Sequence, residues 1–146
     1  MRIRLGLCAV VLSLLTPAAA QTQIPAPDPT ASSRSVTVPA IGMFAGGTVS
    51  SSVVRGDGNR VAVTITADLT LREATRLRFV ALGCTRPPGV LCTEVRRQRQ
   101  YELGPGRRVI RWRVTLNADA RMHGFTTGVS DVYDANPAGF ITHALS

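Results

Sequence analysis

The sequence predicts an all-β protein, an antiparallel β-sandwich of seven or eight short strands following a cleaved signal peptide. Three observations lead there. The stretch "VAVTITADLTLR" (61–72) alternates without a fault: Val61, Val63, Ile65, Ala67, Leu69 and Leu71 share one face, and Ala62, Thr64, Thr66, Asp68, Thr70 and Arg72 share the other. A period of two, rich in β-branched residues, marks a half-buried strand. Turn signals then recur along the chain, at Asp57-Gly58, "RPPG" (86–89), "GPGR" (104–107) and "ANPAG" (135–139). Finally, no apolar pattern of period 3.6 runs long enough for a helix, and many short strands between regular turns indicate a sandwich.

The N-terminus reads as a targeting segment. "MRIR" is basic, "LGLCAVVLSLL" (5–15) is apolar, and "TPAAA" (16–20) places Ala18 and Ala20 where signal peptidase accepts small side chains. The apolar run is shorter than the roughly 20 residues that span a bilayer. Cleavage after Ala20 leaves residues 21–146, with 15 arginines against nine acids, a net charge of +6 and no lysine. The expected location is outside the cytoplasm, periplasmic or extracellular. Residues 21–35, "QTQIPAPDPTASSRS", carry Pro25, Pro27 and Pro29 and predict a disordered linker. Residues 36–146 make one domain, large enough for a core that buries about two thirds of the unfolded chain's surface.

Within the domain, "SVTVPA" (35–40) predicts a short strand and "GMFAGG" (42–47) a flexible connection, with Met43 and Phe44 capping the sandwich edge. "TVSSSVV" (48–54) pairs with 61–72 across the Asp57-Gly58 turn. That turn also explains "RGD" (55–57) without an integrin-type role. "RLRFVALG" (76–83) is the next strand and leads to Cys84. Cys84 and Cys92 bracket "TRPPGVL", and an even pair in an exported chain is expected to be a disulfide, contributing about 2–3 kcal/mol in the chain-entropy model. Their eight-position spacing does not match the wide inter-sheet disulfide of antibody domains, so an immunoglobulin-like shape rests on strand count alone. Weaker strands follow at 122–134 and 139–145. A membrane barrel is disfavoured, because the chain holds seven aromatics and its polar faces are rich in Thr and Arg.

The segment "RRQRQYELGPGRRVIRWR" (96–113) contains seven arginines and one acid, Glu102. Folding it as a hairpin about "GPGR" pairs Leu103 with Arg108, Tyr101 with Ile110 and Val95 with Leu116. Trp112 and Val114 complete an inward row. Gln100–Arg111 and Gln98–Arg113 face out. This register leaves Arg97 and Arg99 on the inner side, which requires a bulge near 96–99, a strand that outruns the covered area, or Arg99 stacked on Trp112. Arg96, Arg97, Arg99, Arg107, Arg108, Arg111 and Arg113 are the candidate contacts for an anionic partner, since guanidinium donates bidentately to phosphate or sulfate. The plain alternative is a solvated face in an arginine-biased chain. Tyr101 and Trp112 point inward, so the stacking platform of a nucleic-acid site is missing.

No reaction motif stands out. His123 and His143 read as scattered surface histidines, with Asp119, Asp131 and Asp134 as distant partners and no metal-ligand spacing. Ser130 in "TGVSDV" lacks the second glycine and the helix of a nucleophile elbow. No cofactor, metal or catalytic residue is assigned. The expected function is a non-enzymatic envelope protein that binds or structures an anionic envelope polymer or another envelope protein. One alternative is an accessory subunit assembling by strand addition, with segment 21–35 as donor. The other is a small secreted hydrolase using His123 or His143.

Overall fold

The structure, a computed structural model, describes residues 31–85, 94–118, 122–133 and 137–144. The segment expected to be a signal peptide, most of the proline-rich segment and Cys92 lie outside the described residues. Eight strands form: β1 (Ala31–Val38), β2 (Phe44–Arg55), β3 (Arg60–Leu71), β4 (Thr75–Cys84), β5 (Glu94–Leu103), β6 (Gly106–Asn117), β7 (Gly124–Asp131) and β8 (Pro137–Ala144). They make two antiparallel four-stranded sheets, ordered β1-β2-β3-β6 and β5-β4-β7-β8, packed as a sandwich.

The alternation read at 61–72 holds residue by residue. Val61, Val63, Ile65, Ala67, Leu69 and Leu71 are all buried in the core, and the intervening side chains face solvent from the outer side of the first sheet. Each fully buried aliphatic or aromatic side chain stabilises by about 1.5–3 kcal/mol relative to exposure. The β2–β3 hairpin forms as the Asp57-Gly58 signal requires. Val54 faces Ala62, Gly58 adopts φ 63°, and Gly56 N–H donates to the Arg60 carbonyl at 2.8 Å.

Two local readings change. The strand read at 35–40 begins earlier, because Ala31–Ser35 already pair with Ser50–Val54 of β2. The "GMFAGG" connection is itself the start of β2, with a register shift between Phe44 and Gly46. Met43 and Phe44 are core residues, and Gly47 (φ 147°) lies so close to β3 that a Cβ there would collide with the Asp68 carbonyl oxygen.

The main correction concerns 96–113, which is not a hairpin. β5 pairs with β4 in one sheet and β6 pairs with β3 in the other. None of the cross-turn pairs from Leu103–Arg108 to Gln98–Arg113 exists. Gly104–Gly106 instead arches from sheet to sheet, with Gly106 at φ 95°. The physical reason lies in the partners. β6 matches β3 over twelve residues, with Ile65 opposite Trp112, Val63 opposite Val114 and Val61 opposite Leu116. An arch also lets Tyr101 and Trp112 approach Phe79 from the two sheets, edge-on at centroid distances of 5.1 and 6.5 Å. Tyr101, Ile110, Trp112, Val114 and Leu116 face the core as expected, while their pairing is not the expected one.

Candidate functional site

β5 and β6 are both edge strands, and the arch stacks them on the same lateral side of the sandwich. The seven arginines therefore decorate one edge rather than one sheet face. β5 carries a bulge, but beyond both arginines: Arg97 opposes Ala81, Val95 opposes Leu82, and Arg96 is the extra residue between them, so Arg97 and Arg99 stay on the inward side opposite Ala81 and Phe79. Arg99 sits opposite Phe79 but is exposed, because an edge strand outruns the cover of the facing sheet. Its guanidinium lies over Tyr101, 5.3 Å from the ring centroid, and not over Trp112.

The seven side chains are not equivalent. Arg107 clasps Asp68 of β3 with two hydrogen bonds, Nε–Oδ1 at 2.9 Å and Nη2–Oδ2 at 2.7 Å. That bond holds the Asp68 carboxyl below its usual range and raises Arg107. Arg108 donates to the carbonyls of Gly104 and Pro105 at 3.0 and 2.9 Å, tying down the arch. Arg97 donates to the Arg96 carbonyl at 2.8 Å, and Arg96 is half-buried. Arg111 and Arg113 project from the outer face of β6, opposite Thr66 and Thr64. Arg97, Arg99, Arg111 and Arg113 are exposed and form no ion pair among the described residues. Glu102, the acid inside the segment, is drawn instead to Arg76 of β4, whose pKa it raises through their hydrogen bond.

Beside the arch lies an open cleft of about 470 Å³, lined by Thr75, Arg76, Glu102, Gly104 and Tyr133 among others. Arg76 stands 5.9 Å from the centroid of the exposed Tyr133 ring. Asp131 Oδ1, buried behind it, accepts from Thr75 Oγ1 at 3.0 Å and from the Tyr133 amide at 3.1 Å. Sequence reasoning missed this grouping because its members come from β4, β5 and the end of β7, with no local spacing to join them.

The histidines separate, and one reading of them is overturned. His123 is exposed ahead of β7, but His143 is not a surface residue: its side chain on β8 points between the sheets and is fully buried. Its Nδ1 lies 2.9 Å from Ser32 Oγ of β1 and its Nε2 lies 3.0 Å from Ser51 Oγ of β2. A neutral ring can donate to one serine and accept from the other. Burial, with a smaller effect from the Arg34 charge, lowers its pKa to about 4. The period-two reading of 139–145 places His143 on the same face as Ile141, and that was the available signal. Ser130 is buried on β7. Cys84 is buried at the end of β4 with Sγ 3.8 Å from Thr126 Oγ1, while its expected partner Cys92 lies outside the described residues. No group of three or more His, Cys, Asp and Glu side chains positioned for a metal occurs among the described residues.

No protein-family model matches the chain. No curated protein matches it either. Two solved structures are similar at low level, both of β-glucosidase 3B from Thermotoga neapolitana. The complex with glycerol aligns at 12% identity and a TM-score of 0.38, over 64% of this chain and 15% of that one. The complex with α-D-glucose aligns at 10% identity and 0.39, over 78% and 16%. The chain thus spans about a sixth of the protein it aligns with.

Proposed function

We propose that this chain is an exported, non-enzymatic β-sandwich of the cell envelope that binds an anionic envelope polymer along the β5–β6 edge. One observation carries the reading. Arginines from two separate sheets converge on one lateral edge, and Arg97, Arg99, Arg111 and Arg113 there are exposed without an acidic partner among the described residues. Guanidinium groups left in that state offer bidentate donors to phosphate, sulfate or carboxylate. The ligand is a polymer, because the charges are strung along strands instead of converging in a pocket. Export rests on the N-terminal sequence pattern and sets the partner class: lipopolysaccharide, cell-wall polymers and acidic glycans in place of nucleic acid.

The test is a titration of residues 21–146 against lipopolysaccharide and an anionic glycan at low and physiological salt. Binding is expected to weaken with salt yet persist at physiological ionic strength. Changing Arg97, Arg99, Arg111 and Arg113 to glutamine should abolish it. Affinity no greater than that of an equally basic control protein would refute the proposal. Strand addition finds less support, since residues 31–35 of the proposed donor are already hydrogen-bonded to β2.

A further inference from the structure

The outer face of the β1-β2-β3-β6 sheet carries an ordered hydroxyl array that ends on the arginine edge. The register makes this explicit. Ser35 of β1 faces Ser50 of β2, which faces Thr66 of β3, which faces Arg111 of β6. Two residues along, Ser33, Ser52, Thr64 and Arg113 form a second row in the same order. Directly paired residues project to the same side of a sheet, so each row is three hydroxyls and a guanidinium pointing outward. Strands lie about 4.8 Å apart and alternate residues about 6.8 Å apart, so each row runs roughly 14 Å and the two are parallel.

These groups are available for a ligand. Ser50 Oγ makes one long bond, to the Thr66 carbonyl at 3.5 Å. The hydroxyls of Ser33, Ser35, Ser52, Thr64 and Thr66 have no hydrogen-bond partner among the described residues, and Arg111 and Arg113 no ion pair. The next row contains Asp68, whose negative charge Arg107 holds, so among the described residues the face presents no bare acid to an incoming anion.

Resting on the function proposed above, we infer that the polymer is an acidic polysaccharide lying along these rows, its sugar hydroxyls on the serines and threonines and its acidic groups on Arg111 and Arg113. A hydroxyl is both donor and acceptor and so complements another polyhydroxylated surface, while guanidinium complements carboxylate, sulfate or phosphate. Other polyanions fit less well. Among the described residues the face carries no aromatic side chain on which nucleobases could stack. Val109 is its one exposed large apolar residue among the described residues, too little for an apolar protein contact or for insertion into a lipid surface.

Two carboxylated polymers separate this inference from the reading beneath it: polygalacturonate, which has hydroxyls, and polyglutamate, which has none. Thr64→Val/Thr66→Val keeps shape and strand propensity but removes two hydroxyls. It should weaken polygalacturonate binding about tenfold and leave polyglutamate binding unchanged. Ser33→Ala/Ser52→Ala, in the second row, should act in the same sense, and unchanged melting temperatures certify the fold of each variant. Arg111→Gln/Arg113→Gln should weaken both polymers. If both hydroxyl variants bind polygalacturonate like the parent while the arginine variant loses it, the hydroxyl rows are not a binding surface and the arginine edge stands. If the arginine variant binds both polymers unchanged, or neither polymer binds the parent, the proposed function falls and this inference with it.

Discussion

His143 Nε2 and Ser51 Oγ meet at 3.0 Å inside the sandwich, one from each sheet. With Ser32 on the other ring nitrogen, this contact fastens β1 and β2 to β8 on the side opposite the arginine edge. The ring is fully buried and its pKa is lowered to about 4 from 6.5.

Stability should therefore fall on acidification. In the unfolded chain His143 takes up a proton near pH 6.5, while in the folded chain it resists until about pH 4. Between those values the unfolded state binds more protons, so stability rises with pH across that window and is fully present above it. The largest loss expected by pH 4 is about 3 kcal/mol. Urea denaturation midpoints measured from pH 7 to 4 should show this slope, and His143→Gln should flatten it. An equal slope in both proteins would show that other groups set the acid sensitivity.

Phe79 couples the two sheets through Trp112. Trp112→Ala should destabilise by about 3–5 kcal/mol. In a double-mutant cycle Phe79 and Trp112 should show a coupling energy of about 0.5–1.5 kcal/mol. Tyr101 and Ile110, partners only in a hairpin, serve as the comparison pair, and a larger coupling between them than between Phe79 and Trp112 would contradict the arch.

Gly47 has a conformation and a setting that exclude a side chain. Gly47→Ala places a Cβ against the Asp68 carbonyl at a positive φ, and the expected cost is about 2 kcal/mol or more. Gly58→Ala, where a Cβ would meet open space, should cost less because only the positive φ opposes it. Thermal unfolding of the two variants reads the difference.

Asp68→Asn should leave the fold intact, since the Asp68–Arg107 pair is exposed and such pairs contribute little to stability. It frees the Arg107 guanidinium beside the unpaired Arg111 and Arg113. The variant should bind polyanions more tightly and with a steeper dependence on salt. Unchanged affinity would place Arg107 outside the contact surface.

The sequence alone determined the buried face of β3 and of β6. Alternation along 61–72 named six core residues, the Asp57-Gly58 turn set the β2–β3 pairing, and the row through Ile110, Trp112 and Leu116 pointed inward as read. These properties follow from the two-residue period of a strand, which is local. The conflict at Arg97 and Arg99 was legible for the same reason, but the sequence left open a bulge, a strand outrunning its cover or stacking on Trp112, and the edge position of β5 decided for the second. Strand partners were a different matter. A hairpin and an arch impose the same alternation on 96–113, and only the competition of β3 for β6 and of β4 for β5 decides between them. That decision moved the arginines from one sheet face to an edge shared by two sheets. The place of His143 was tertiary too, since Ser32 and Ser51 lie 111 and 92 residues away in the chain. Its burial, and with it the pH dependence, exists only once the two sheets close over it.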